Sequence, residues 1–240
     1  MIFRLCVETG AAYPPADPRR HRGESPARRQ SNQHLVVLGV RRDGQKLLLA
    51  VKAMGSESAA AWRVVRDDLI ARGLWTPELL LIDAGGGLER ARASLWPEVP
   101  TQRCTMHKHR NPLAHAPEAL HEEMTADNNG MNYSGMIYAD NSAAVMRRRK
   151  LFLAKWRLQC RGVADSREEA GERLFTFTRL SASQWKSART TPAIERLHEA
   201  FKRRIKTQTA LPSAGTTALL FWSLLASGQI TMRPDHHAPR

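Results

Sequence analysis

Three things are scarce in this sequence. Only Cys6, Cys104 and Cys160 occur among 240 residues. They are too few and too scattered for a disulfide framework and fit a reducing cytoplasm. Nowhere do about 18 apolar residues run together, which excludes a helical membrane span of ordinary length. Residues 218–230 come nearest but are interrupted by Ser223, Ser227 and Gly228. MIFRLCVETG lacks the long apolar region of a signal peptide. Acidic side chains are also few. Against 37 Lys and Arg there are 23 Asp and Glu, for a net charge of +14 and a pI near 10.6. Such an excess gathers polyanions by long-range attraction and counterion release. A membrane surface is the rival anion, and nothing in the chain is built to enter one. What is present is an ordinary globular share of apolar residues, 42 %, in a chain long enough to bury a substantial core.

Residues 13–33 hold four prolines and five arginines with almost no large apolar side chain. The whole of 1–33 is therefore expected to be disordered or unrelated to the core. The texture changes at His34. HLVVLGV and KLLLAVKAM read as two strands joined by the Asp-Gly turn of RRDGQ. In SESAAAWRVVRDDLIAR (56–72), Trp62, Val65, Leu69 and Ile70 follow one helical face, and Gly73 stops the helix. ELLLID is an apolar strand ending at Asp83, followed by a glycine turn (84–87) and a short helix (88–95). VPTQRC reads as a further strand. This order gives an α/β sheet with helices on its faces. From 111 to 189 the texture is helical and polar. HAPEALHEEMTAD, NSAAVMRRRKLFLAKWRLQ and SREEAGERLFTFTRL are three expected helices, and Leu151, Phe152, Trp156 and Leu158 form the buried stripe of the second. A long helix over 192–206 and a final apolar helix after Pro212 close the pattern. The expected divisions are 1–33, a first core part 34–110, a helical insertion 111–189, a last core part 190–232 and a tail 233–240.

Asp83 stands at the end of a parallel-type strand before a glycine turn, the place where α/β sheets put ligands. It would equally serve as an N-cap. Glu195 lies one turn into the helix that Thr191 and Pro192 begin, and it also suits the positive helix end. Together the two suggest more. Hard divalent cations need oxygen ligands converging from separate elements, and phosphodiester chemistry commonly uses two metals about 4 Å apart. TQRCTMHKHRN (101–111) adds Cys104 and His107 at metal-like spacing. A zinc site would require a second ligand pair, and neither Cys6 nor Cys160 belongs to one. Lys108, His109 and Arg110 are either a DNA contact or a solvated face, as are Arg196, Lys202, Arg203, Arg204 and Lys206.

QRCTMHKHRN, ARTTPAIERLHEAFKRRIKTQTALPSA and LLASGQITMR resemble the mutator-type transposases of bacterial insertion sequences, and SESAAAWRVVRDDLIARGL with LLLIDAGGGL matches in the same order. The resemblance covers roughly 34–233. It implies a ribonuclease-H-like mixed sheet with flanking helices and an all-helical insertion before the last catalytic helix. It also implies a DDE carboxylate triad holding Mg2+ (or Mn2+), with Asp83 as second member and Glu195 as third, and Cys104 and His107 beside them. Double-stranded DNA, at element ends and target, is the implied partner, with homo-oligomers, no membrane and a bacterial cytoplasmic, nucleoid-associated setting. Three departures stand out. The first aspartate belongs on a strand about twenty residues before LVVLG, where only Asp17 offers itself, in a proline-flanked loop unsuited to a central strand. Pro192 replaces a usual asparagine, and PDHHAPR is an unfamiliar ending. The expectation is a truncated or degraded transposase, with a catalytically dead DNA-binding remnant as the alternative and a structural zinc protein as a third reading.

Overall fold

The computed structural model describes residues 2–10, 33–54, 58–83, 96–110, 116–123, 137–205 and 214–235. The strands are β1 (Ile2–Gly10), β2 (Gln33–Arg41), β3 (Lys46–Met54), β4 (Leu79–Ile82) and β5 (Thr101–Arg103). The helices are α1 (Ala59–Ala71), α2 (Thr105–Arg110), α3 (Ser142–Gln159), α4 (Arg161–Ala170), α5 (Trp185–Ala188), α6 (Pro192–Ile205) and α7 (Ala214–Ala226). They fall into two compact units: Met1–Pro100 with Thr191–Arg240, and Thr101–Thr190. The expected boundary at 110/111 therefore moves to 100/101, so that β5 and α2 join the inserted unit.

In the first unit the strands run β3-β2-β1-β4. The β2–β3 hairpin forms as the Asp-Gly signal predicts. Asp43 Oδ1 accepts the Gln45 N–H at 2.9 Å, and Gly44, at φ +83°, donates its N–H to the Arg41 carbonyl at 3.0 Å. The N-terminal segment departs from expectation. Ile2–Gly10 is no disordered stretch but an interior strand, antiparallel to β2 and parallel to β4. Leu5 and Val7 are buried on one face and Cys6 on the other, so β1 lacks the polar alternation of a half-exposed strand.

The two faces carry separate layers. Ser58 Oγ caps α1 by accepting the Ala61 N–H at 3.2 Å. From α1, Trp62, Val65 and Leu69 pack against Leu5, Val7, Leu35, Val37, Leu80 and Ile82. Ile70, expected on that stripe, turns outward, because Leu69 already occupies the sheet-facing position and the next residue is 100° round the helix. On the other face Ile194, Leu197, Phe201 and Ile205 of α6, with Phe221 and Leu224 of α7, cover Cys6, Val36, Leu38, Val40 and Leu81. At about 1.5–3 kcal/mol for each large side chain removed from water, these layers hold α6 against the sheet.

The second unit centres on fully buried Phe152 and Trp156 and on Phe177, whose ring meets Trp185 edge-on at 5.3 Å. Gln102, on β5, ties its chain together. Its Nε2 donates to the Leu174 carbonyl and its Oε1 accepts the Phe177 N–H, both at 2.8 Å. Two expectations fail here. Leu151 and Leu158 are 60 % and 90 % exposed, since the buried stripe of α3 runs through Val145, Phe152 and Trp156. SREEAGERLFTFTRL is not one helix. Gly171, at φ +59°, ends α4, and 3-10 turns Gly171–Leu174 and Thr176–Arg179 follow. HAPEALHEEMTAD shows a 3-10 turn, Glu118–Leu120, with helix continuing to 123. Residues 124–127, the glycine turn at 84–87 and the helix at 88–95 lie outside the described residues. Among the described residues, no helix is long and apolar enough to cross a membrane.

Candidate active site

Asp83 follows directly on β4, and its N–H continues the ladder by donating to the Val7 carbonyl at 3.2 Å. The side chain is buried. Strand alternation sets its face. Leu80 and Ile82 lie toward α1 and Leu81 toward α6, so position 83 falls on the α6 side. Glu195 enters the same side from the first turn of α6, between buried Ile194 and Leu197, and is itself half-buried. The two predicted carboxylates thus belong to one face of one unit. The helix that Asp83 would cap lies outside the described residues.

The register also supplies a position that the sequence reading missed. Val7 pairs with Ile82 in the parallel β1–β4 ladder, so Glu8 occupies the register position beside Asp83. The Glu8 backbone pairs with Val36 across the β1–β2 ladder. Asp17, the earlier candidate, lies outside the described residues. The available signal was the short apolar run Leu5-Cys6-Val7 ending in Glu8, which reads as a buried strand carrying an acid near its end.

Two histidines flank this end of the sheet. His34 pairs with Gly10 at the close of β1 and is buried. His198, three residues after Glu195 on α6, packs edge-on against Phe221 with ring centres 6.0 Å apart. Burial, with the nearby Lys202 ammonium and His34, pushes the His198 pKa down to about 4. Its imidazole is therefore neutral at pH 7. The Glu-x-x-His spacing put both residues on neighbouring positions of one helix, a signal that was present in the sequence.

Cys104 and His107 stand on the second unit at the start of α2. Cys104 is buried and His107 half-buried. Lys108 corrects the expectation of a DNA contact. It is 2 % exposed, with Nζ 2.7 Å from Glu169 Oε2, while Arg103 Nη1 meets Glu169 Oε1 at 2.8 Å. Arg167 Nη1 donates to the Lys108 carbonyl at 2.8 Å. Burial works to raise the Glu169 carboxyl, but the hydrogen bonds from Lys108 and Arg103 outweigh it and hold the pKa below the usual carboxylate range. Burial lowers Lys108, and Glu169 opposes that. A cation engaged this way is a structural tie, because a buried ammonium must be paired. The side chain of Arg110 and all of Lys206 lie outside the described residues. Arg196, Lys202, Arg203 and Arg204 are exposed along α6.

Among the described residues no group of three or more His, Cys, Asp or Glu gathers as a metal cluster. Asp83 and Glu195 are both carboxylates, oxygen donors of the kind that suits a hard divalent cation.

The mutator-family transposase profile matches residues 20–229. The chain belongs to this family. Relatives include the transposase of insertion sequence element ISRM5 from Rhizobium meliloti, 29 % identical over 82 % of this chain and 48 % of its own length. That of IST2 from Acidithiobacillus ferrooxidans is 32 % identical over 67 % of this chain and 53 % of its own. That of IS6120 from Mycolicibacterium smegmatis is 31 % identical over 72 % and 52 %. The chain spans about half the length of the curated relatives it matches. A Drosophila P element transposase strand transfer complex aligns over 95 % of this chain at 12 % identity, with a TM-score of 0.28, too low to carry an argument. The match contains Asp83, Cys104, His107 and Glu195 but begins after β1, so this member's Glu8 lies outside it.

Proposed function

We propose that the first unit is the ribonuclease-H-like catalytic core of a DNA transposase that cuts and rejoins the strands of an insertion sequence. What supports this reading is that Asp83 follows a strand whose Leu81 lies under α6, and Glu195 stands in the first turn of α6, in a unit that lies largely inside the family match. Asp83 and Glu195 would hold Mg2+ or Mn2+, and Glu8, at the register position beside Asp83, would take the third carboxylate place. Two such cations, when bound, activate the attacking oxygen and steady the leaving one. The chain's own groups fix the geometry. Asp83 is set by its backbone bond to β1, and Glu195 by the buried residues on either side of it. Neutral His198 brings no positive charge of its own to this end of the sheet. Duplex DNA at element ends and target would be the substrate, bound by homo-oligomers in the bacterial cytoplasm at the nucleoid.

The test is Mg2+-dependent nicking and strand transfer on a duplex carrying the element's ends, with Mn2+ affinity measured by calorimetry in parallel. Wild type should cut, while Asp83→Asn, Glu195→Gln and Glu8→Gln should each lose both cutting and Mn2+ affinity. If Glu8→Gln binds Mn2+ like wild type, the third place belongs to another residue. A wild type that binds DNA but neither binds Mn2+ nor cuts the duplex sinks the catalytic reading and leaves a DNA-binding remnant.

A further inference from the structure

We infer that the first unit carries a second DNA-backbone site, separate from the carboxylates, in a groove between α6 and the segment 230–233. The groove encloses about 480 Å³ and is lined by Lys46, Arg196, Arg203, Arg204 and Arg233, with Glu199 as its one carboxylate. Its Lys46 side lies away from the acidic end. Lys46 pairs with Val40, and Val40 pairs with Arg4 near the start of β1, whereas Asp83 lies beside Val7, toward its finish. Along α6, Ala193, Arg196, Ala200 and Arg203 form the stripe that lines the groove. Glu195, His198 and Lys202 form the adjoining stripe.

Two of the five cations hold the walls. Arg204 donates to the carbonyls of Ala200, at 3.1 Å, and of Gln229. Lys46 Nζ donates to the Arg233 carbonyl at 2.8 Å. The Lys46 ammonium is disfavoured chiefly by burial and further by Arg4 and Arg196, with Asp235 opposing. Arg196 and Arg203 are exposed and have no hydrogen-bond or ion-pair partner among the described residues. Cations gathered around a concavity with one carboxylate repel one another, and an anion entering the groove relieves that repulsion. Guanidinium forks match phosphate oxygens. Arg196 and Arg203 stand seven residues apart, about 10.5 Å along the helix, which suits successive phosphates of a strand better than one small ion. The wall at 230–233 lies beyond the family match, which ends at 229.

The experiment is fluorescence anisotropy of a labelled duplex titrated at graded KCl, using the full chain. Each phosphate contact contributes about 0.9 to the slope of log affinity against log salt, so Arg203→Gln with Arg233→Gln should flatten that slope by about 2. Arg63→Gln with Lys186→Gln removes the same charge from exposed sites elsewhere and should leave the slope within about 0.5 of wild type. Circular dichroism melting confirms that each variant is folded. Equal slopes for wild type and the groove pair overturn the inference. So does an equal flattening in the control pair, which would reduce the effect to net charge. A groove pair that binds DNA normally but loses self-association by sedimentation also overturns it, in favour of a protein occupant. Asp83→Asn should keep the full slope whatever it does to cleavage, so failure of the catalytic reading and failure of the groove are read separately.

Discussion

His198 makes the stability of the first unit depend on pH in a way that can be worked from its surroundings. The side chain is 7 % exposed. It faces Lys202 on its own helix, His34 on β2 and the Phe221 ring on α7. Burial is the largest influence, and the Lys202 and His34 charges add to it in the same direction, so the imidazolium is disfavoured in the fold. Folding holds the pKa at about 4 against an ordinary 6.5. Between those values the unfolded chain binds a proton that the folded chain refuses, so stability falls as the pH falls. The contribution is fully present above pH 6.5 and is lost as pH drops through 4. At about 1.36 kcal/mol per pH unit the full loss is about 3 kcal/mol, with about 2 kcal/mol gone by pH 5. That is a sizeable part of a typical total of about 5–15 kcal/mol. Urea unfolding followed by tryptophan fluorescence between pH 7.5 and 4.5 measures it, with His198→Phe as reference, since its ring can pack on Phe221 without titrating. Wild type should lose about 2 kcal/mol more than the variant on going from pH 7.5 to 5. If both lose the same amount, the acid sensitivity belongs elsewhere and the account of His198 is wrong.

Two further outcomes follow from local geometry. Gly44→Ala should destabilise by about 1–3 kcal/mol, because a Cβ there would sit 2.2 Å from the Asp235 carbonyl oxygen at a φ of +83°. Thermal melting measures the loss, and limited proteolysis should release the segment around Asp235. Glu169→Ala should destabilise the second unit by leaving Lys108 and Arg103 buried without their shared carboxylate. Because Glu169 is held below the usual carboxylate range, its contribution is present at neutral pH and is lost as the pH falls below the ordinary carboxylate value. The variant's melting temperature should therefore change less than wild type's between pH 7 and 4.

The parts legible in the sequence are those whose signals are local. The Asp43-Gly44 turn, the Ser58 cap, the apolar run into Asp83 and the start of α6 after Thr191 each declare themselves within a few residues. What was not legible depends on partners far along the chain. A nine-residue strand buried on both faces looks like little when a proline-rich stretch follows it, so β1 was missed, and Glu8 with it. Lys108 sits in a run of cations that reads as a solvated face, and its burial depends on Glu169, 61 residues later. Gly171 ends a helix that composition alone would have continued. The likeness to the mutator family singled out Asp83 and Glu195, but it could say nothing about segments outside its reach.

Those outlying segments depend on one another. Arg4 on β1 and Asp235 form a buried ion pair, with side chains 3 % and 6 % exposed, and the Asp235 N–H donates to the Gly44 carbonyl at 2.7 Å. Such a pair is a weak source of net stability, yet removing either member strands a buried charge and costs about 3–5 kcal/mol. Its consequence for β1 is positional. A slip of one residue would carry every side chain of the strand to the opposite face, taking Arg4 away from Asp235 and Cys6 out of the α6 layer. The slipped register is therefore penalised twice, by an unpaired guanidinium and by a lost apolar contact. Glu8 lies four residues after Arg4 on the same paired strand, so the bond that anchors Asp235 also fixes which β1 residue takes the register position beside Asp83.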